Sequence, residues 1–134
     1  MIGSAQWHMR VDDERDLLRV VLSGRFGLNE WFEVLDEMPN TPGFHLGIHA
    51  IFDGREAHFG FSSDEIQRLV MKLRYRVEGR GTGFRSAFVV GAEVDYGIGR
   101  MIGALTDQLP FDTAAFQSVT EAESWVLGDS SEAL

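Results

Sequence analysis

Two spacings of apolar residues alternate along this chain. Residues 7–11 alternate loosely between apolar and polar and predict a first strand. A polar turn over 12–16 leads to the apolar run 17–22, broken only by Arg19, which predicts a second strand. The short connection makes the two a hairpin. Trp31, Val34, Leu35 and Met38 fall at helical spacing and predict a helix over 28–38 with one stripe toward the core. Pro39 and Pro42 close it. The run 46–52 is short and apolar enough for a central strand.

Ile66, Leu69, Val70, Leu73 and Val77 share one face of a second helix, which dissolves in the glycine-rich stretch 79–83. Residues 86–90 predict a fourth strand. Ile98, Met101, Ile102, Leu105 and Leu109 predict a third core helix over about 95–108. Residues 114–119 give a weaker fifth strand, expected at a sheet edge. Thr120-Glu121-Ala122-Glu123 reads as a capping box opening a short helix with Trp125 inward.

The order is β-β-α-β-α-β-α-β-α. Alternation of this kind predicts an α/β fold: a mixed, mostly parallel five-stranded sheet with about four helices and right-handed crossovers. The opening hairpin supplies the antiparallel strand. One domain is expected over 1–127, with a frayed tail over 128–134.

The stretch from Ile51 to Ile66 joins a strand end, a polar segment and the best helix start in the chain. Ser62 and Glu65 have the spacing of a capping box, and Phe61 and Ile66 that of a hydrophobic staple. Ser62 is thus a helix cap. It is also a candidate phosphoacceptor, as is Ser63, because a helix N-terminus favours added negative charge. Ligands and partners of open α/β sheets meet the protein beyond the carboxyl ends of the strands. Residues 53–63 are therefore expected to be a loop and the working edge. Asp53, Arg55, Glu56, His58 and Phe59 are its candidate interaction residues, with Phe59 either exposed for contact or in the core.

Composition narrows the function. The 134 residues contain no cysteine, so disulfides and thiolate chemistry are excluded. The net charge of −9 argues against nonspecific nucleic-acid binding, which rests on basic residues. No run approaches the ~20 apolar residues of a membrane span. The first six residues lack a signal-peptide pattern, so the cytoplasm is the expected compartment. Charge is unevenly placed. Glu30, Glu33, Asp36 and Glu37 make the first helix acidic, while six of the twelve basic residues lie between Arg68 and Arg85. Arg68, Lys72 and Arg76 form a candidate basic flank for an acidic partner, or a solvated face.

Catalytic motifs are weak. His45 and His49, on an extended segment, would stand about 13 Å apart, too far for one ion. No metal or cofactor is expected. The glycines Gly97, Gly99 and Gly103 do not match a dinucleotide loop, and on a helix they permit close packing against a sheet. No serine sits in a G-x-S-x-G elbow.

With these elements in place the chain resembles the SpoIIAA-like branch of the STAS family of anti-sigma-factor antagonists. The resemblance rests on the hairpin followed by alternating helices and on the strand ends Leu22-Ser23-Gly24 and Ile51-Phe52-Asp53. It also rests on Tyr96-Gly97-Ile98-Gly99-Arg100-Met101, the Pro110-Phe111 turn, and the closing segment with Phe116, Glu121, Ala122 and Trp125. It implies a non-enzymatic regulatory or protein-interaction module. The partner would be a regulatory kinase or anti-sigma-like protein, with a phosphorylatable serine at Ser62 or Ser63. In the family that serine directly follows the strand-end aspartate; here Ser62 stands nine positions beyond Asp53. The same fold group includes CRAL-TRIO lipid-transfer proteins. A small apolar ligand or lipid carrier is therefore the alternative, and it requires an internal cavity of a few hundred Å³. A homodimer is compatible with an exposed edge strand.

Overall fold

The computed structural model describes residues 3–75, 80–91, 93–105, 107 and 109–128, with the backbone alone at Tyr75 and Val94. Five strands lie side by side in chain order: β1 (Gln6–Asp12), β2 (Leu17–Phe26), β3 (His49–Phe59), β4 (Arg85–Val90) and β5 (Asp112–Phe116). β1 and β2 form the antiparallel hairpin, and every later pair is parallel. Among the described residues the helices are α1 (Leu28–Glu37), α2 (Ser63–Tyr75), α3 (Glu93–Leu105) and α4 (Val119–Val126), with a 3₁₀ turn, Met38–Asn40, extending α1. This is the mixed α/β architecture that the hydrophobic periods predict. Arg76, Val77 and the tail beyond Gly128 lie outside the described residues.

Strand side chains point alternately to the two faces of the sheet, so adjacent residues enter different cores. Leu18, Val20, Ala50 and Phe52 pack with α1, α2 and α3. Their neighbours Leu17, Ile51, Ala87 and Val89 pack with Ala122 and Val126 of α4 on the other face. Successive parallel crossovers of one hand keep their helices on one side of the sheet. Only α4, which follows the last strand, is free to cross beneath. Arg19 ties it there, donating to Glu123 Oε2 at 2.7 Å and to Asp12 Oδ2 at 3.3 Å.

Several expectations need correction. β3 does not end near Phe52; it runs on through Phe59, so Asp53, Arg55, Glu56, His58 and Phe59 are strand residues and not a loop. The cause is a bulge. Val21 pairs with Asp53 and Ser23 with Glu56, so three steps on β3 face two on β2. The extra residue shifts the phase, and after it Ala57 and Phe59 face the core that Ala50 and Phe52 face before it. β2 likewise outruns its expected end and reaches Phe26. Residues 46–48 precede β3 instead of opening it. Finally, α4 is capped by Ser118, whose Oγ accepts from the backbone N–H of Glu121 at 3.2 Å, and not by Thr120. Trp125 packs half-buried against Phe116 at that core's rim, while Ala122 and Val126 point inward.

Helix α3 shows why its glycines are there. A Cβ on Gly99 would stand 2.8 Å from Cβ of Ala115, so a side chain would force helix and strand apart. Gly99, and more loosely Gly103, serve packing against β5 within a continuous helix, while Gly97 faces open space.

Candidate functional site

The carboxyl ends of β2 and β3 form a projecting rim. β4 pairs with β3 only as far as Gly54, whereas β2 follows it to Phe59. Residues 55–59 therefore have one strand neighbour, and Arg55, Glu56 and His58 are exposed. Arg55 grips Asp53 with Nε to Oδ1 at 2.9 Å and Nη2 to Oδ2 at 2.8 Å. This bidentate pair holds the Asp53 carboxyl below its ordinary range, hydrogen bonding outweighing burial. Arg55 is raised in turn by the same bond. The pair is partly solvated and its contribution to stability is small.

The next turn presents Ser62 and Ser63, both exposed. The capping box forms as its spacing predicts. Glu65 N–H donates to Ser62 Oγ at 3.2 Å, and Ser62 N–H donates to Glu65 Oε1 at 3.0 Å. On the basic flank Arg68 is exposed, but Lys72 lies across the Phe32 ring of α1, 4.2 Å from its centroid. Two of the expected acidic residues are engaged as well. Glu30 accepts from Gly27 N–H at 2.8 Å, and Glu37 accepts from Trp7 Nε1–H at 3.0 Å. His45 pairs with Asp16 at 2.7 Å in a surface turn, and His49 Nδ1 accepts from Arg85 N–H at 2.9 Å.

Phe59 turns inward. Its ring stacks on Phe26 at 5.4 Å, meets Trp31 edge-on at 5.9 Å, and touches Phe61 at 6.0 Å. Phe59, Phe61 and Trp31 wall a cavity of about 390 Å³ between the sheet and the three helices. A partly open pocket of this size falls in the range of small-molecule sites. Its floor is Ser86, Phe88 and Val90 of β4, and its roof is Leu35, Leu69 and Ile102 from α1, α2 and α3. An open cleft continues outward from it, sharing Phe59, Phe61, Asp95 and Ile98.

Two polar side chains of the cavity wall are incompletely satisfied. Asp95, 4% exposed, accepts from Phe59 N–H at 3.2 Å through Oδ1, while Oδ2 has no partner among the described residues. Arg80 lies at the other end. Its guanidinium is stacked on Phe84 at 3.8 Å, and its Nη1 and Nη2 are buried without a hydrogen bond among the described residues. Burial pulls this guanidinium down to about 10, so it remains charged at neutral pH. Its place is fixed by the backbone: Gly47 N–H donates to Arg80 O at 2.9 Å. Gly81, at φ +92°, presses so closely on the Gly47 backbone that a Cβ has no room.

Neither residue is marked as a cavity residue by its sequence context. Arg80 reads there as one more cation of the basic stretch, and Asp95 as a helix-start residue. The nearest signal is the placing of a lone arginine within a glycine run directly before Phe84.

No protein-family model matches the chain, and no curated protein matches it in sequence. Among solved structures it is similar to an uncharacterised protein of the DUF3478 family with a SpoIIAA-like fold from Shewanella loihica PV-4. The TM-score is 0.59 at 15% identity, over 94% of this chain and 98% of the other. The fold is SpoIIAA-like. The likeness at this identity is one of architecture. Function is set by the site and not by the fold. Among the described residues no helix is long and apolar enough to cross a membrane.

Proposed function

We propose that this SpoIIAA-like chain is a non-enzymatic binding module that takes a small apolar molecule beneath its three crossover helices. The observation that carries this reading is the aromatic-walled cavity of about 390 Å³. Small-molecule sites occupy roughly 300–1,000 Å³ and are lined mainly by apolar side chains with a few polar groups. Trp31 lines the space and reports on it. Titration with 1-octanol is expected to change tryptophan fluorescence saturably. Ile102→Phe, which fills the cavity from α3, is expected to abolish the change while leaving the circular dichroism spectrum intact. Absence of saturable binding by the wild-type protein removes the reading.

A second reading is supported by the exposure of Ser62 and Ser63 beside the projecting rim. In it the rim binds a protein partner, a regulatory kinase or anti-sigma-like protein, and phosphorylation at the start of α2 switches the contact. A phosphoryl group on Ser62 would meet the Glu65 carboxylate of the capping box and break that box. Phosphopeptide mapping of the protein purified from its native cells tests it, and unmodified Ser62 and Ser63 under all growth conditions argue against it.

A further inference from the structure

We infer that the cavity selects apolar monocarboxylates, whose head group is held by Arg80 at the amino end of β4. The inference rests on the cavity reading and adds the chemistry of its ligand.

A buried cation without a counter-charge is unfavourable, and an incoming anion repairs that defect. Here the defect has a shape. Stacking on Phe84 fixes the plane of the guanidinium, and Phe84 is itself braced by Phe111, with ring centroids 4.5 Å apart and planes 10° from parallel. The two unbonded atoms, Nη1 and Nη2, form one edge of that plane. Two parallel N–H donors at fixed spacing match the two oxygens of a carboxylate. A hydroxyl offers one neutral oxygen where a carboxylate offers two charged ones, and an ammonium is repelled.

The other end of the cavity disfavours the same head group. The unpartnered Asp95 Oδ2 is an oxygen acceptor, and a carboxylate brings it only more acceptor oxygens. The acid is therefore oriented with its head toward Arg80 and its tail toward Phe59 and Phe61. Size follows from the same walls. Ser86, Phe88 and Val90 line the floor in succession, a length on the order of 13 Å at the rise of a strand. At ~30 Å³ per water-sized group, the cavity has room for about a dozen such groups. A carboxylate with eight to ten carbons in an unbranched or aromatic body fits both limits.

The test compares three probes with one apolar body: decanoate, 1-decanol and decylamine, titrated below their micelle-forming concentrations into the full chain by calorimetry. Decanoate is expected to bind at least tenfold more tightly than decanol and than decylamine, whose ammonium meets only the single free oxygen of Asp95 at the opposite end. In Arg80→Met the acid is expected to lose at least tenfold while decanol binding is kept or improved. Equal affinity of acid and alcohol for the wild-type protein overturns the head-group assignment and leaves the cavity reading standing. Binding of none of the three overturns both. Undiminished decanoate binding by Arg80→Met also overturns the assignment. Should that variant not fold, the wild-type comparison of acid with alcohol decides alone.

Discussion

Ser62 and Glu65 exchange hydrogen bonds at the start of α2, the serine hydroxyl accepting from one backbone N–H and the glutamate carboxylate from the other. Two of the helix's otherwise unpaired donors are satisfied this way. Ser62→Ala removes one of these bonds and is expected to cost about 1 kcal/mol. Ser63 is exposed and has no capping role, so Ser63→Ala is expected to stay within about 0.5 kcal/mol of wild type. Urea unfolding of both variants checks the difference. Equal stabilities would show that the box contributes nothing in solution.

Gly97 and Gly99 stand two residues apart in α3 and predict opposite outcomes. A Cβ at Gly97 meets nothing within 4 Å, so Gly97→Ala gains helix propensity alone, up to about 1 kcal/mol. At Gly99 the same methyl collides with Ala115, and overpacking of roughly 1–3 kcal/mol outweighs the propensity gain. Thermal midpoints are expected to rise for the first variant and fall for the second. A rise for Gly99→Ala would mean that α3 sits further from β5 than described.

The architecture was legible because its cause is local. Alternating apolar residues with short connections read as strands, helical stripes such as Trp31, Val34 and Met38 read as core-facing, and their order dictates a mostly parallel sheet. The error at β3 has an equally physical source. Asp53, Gly54, Arg55 and Glu56 are residues that favour turns or solvent, and local preference reads them as a loop. They remain in a strand because β2 continues beside them and a bulge absorbs the phase. Pairing with a distant segment decided the matter. The cavity is less legible still. Arg80, Asp95, Trp31 and Phe59 come from four separate parts of the chain, and no spacing connects them. Rings that read individually as core fillers together enclose a space they do not fill.

His49 makes stability depend on pH. Its Nδ1 accepts from Arg85 N–H, which requires the uncharged ring, and burial first, then Arg85 and Arg80, lower its pKa. Below 6.5 the unfolded chain takes up this proton more readily than the folded one. Stability is therefore complete above 6.5 and declines as pH falls from there toward the lowered folded value. His45 acts in the opposite sense. Its pKa is raised chiefly by Asp16, so its contribution is present below 6.5 and fades as pH rises through the folded value. His49→Asn keeps an acceptor oxygen near the Nδ1 position and removes the titration, while His45 is common to both proteins. Thermal midpoints between pH 7 and 5 are expected to fall more steeply for wild type than for His49→Asn. Parallel curves would show that His49 protonates equally easily in both states.

Arg80 connects the cavity's proposed function to its cost. A guanidinium buried without a hydrogen-bond partner among the described residues weakens the empty protein, because its lost hydration is not made good by a protein acceptor. Methionine fills similar volume, keeps contact with Phe84 and carries no charge. Arg80→Met is therefore expected to stabilise the ligand-free chain, by about 1 kcal/mol or more, as replacements of poorly compensated buried charges do. The same change is expected to abolish the extra stability that decanoate gives the wild-type protein, which rises with ligand concentration by mass action. A residue retained only for structure moves stability down when it is replaced. A residue retained for a ligand moves the empty state up and the liganded state down. Thermal midpoints of both proteins with and without decanoate distinguish the two, and a less stable empty variant would mean that Arg80 is compensated within the fold itself.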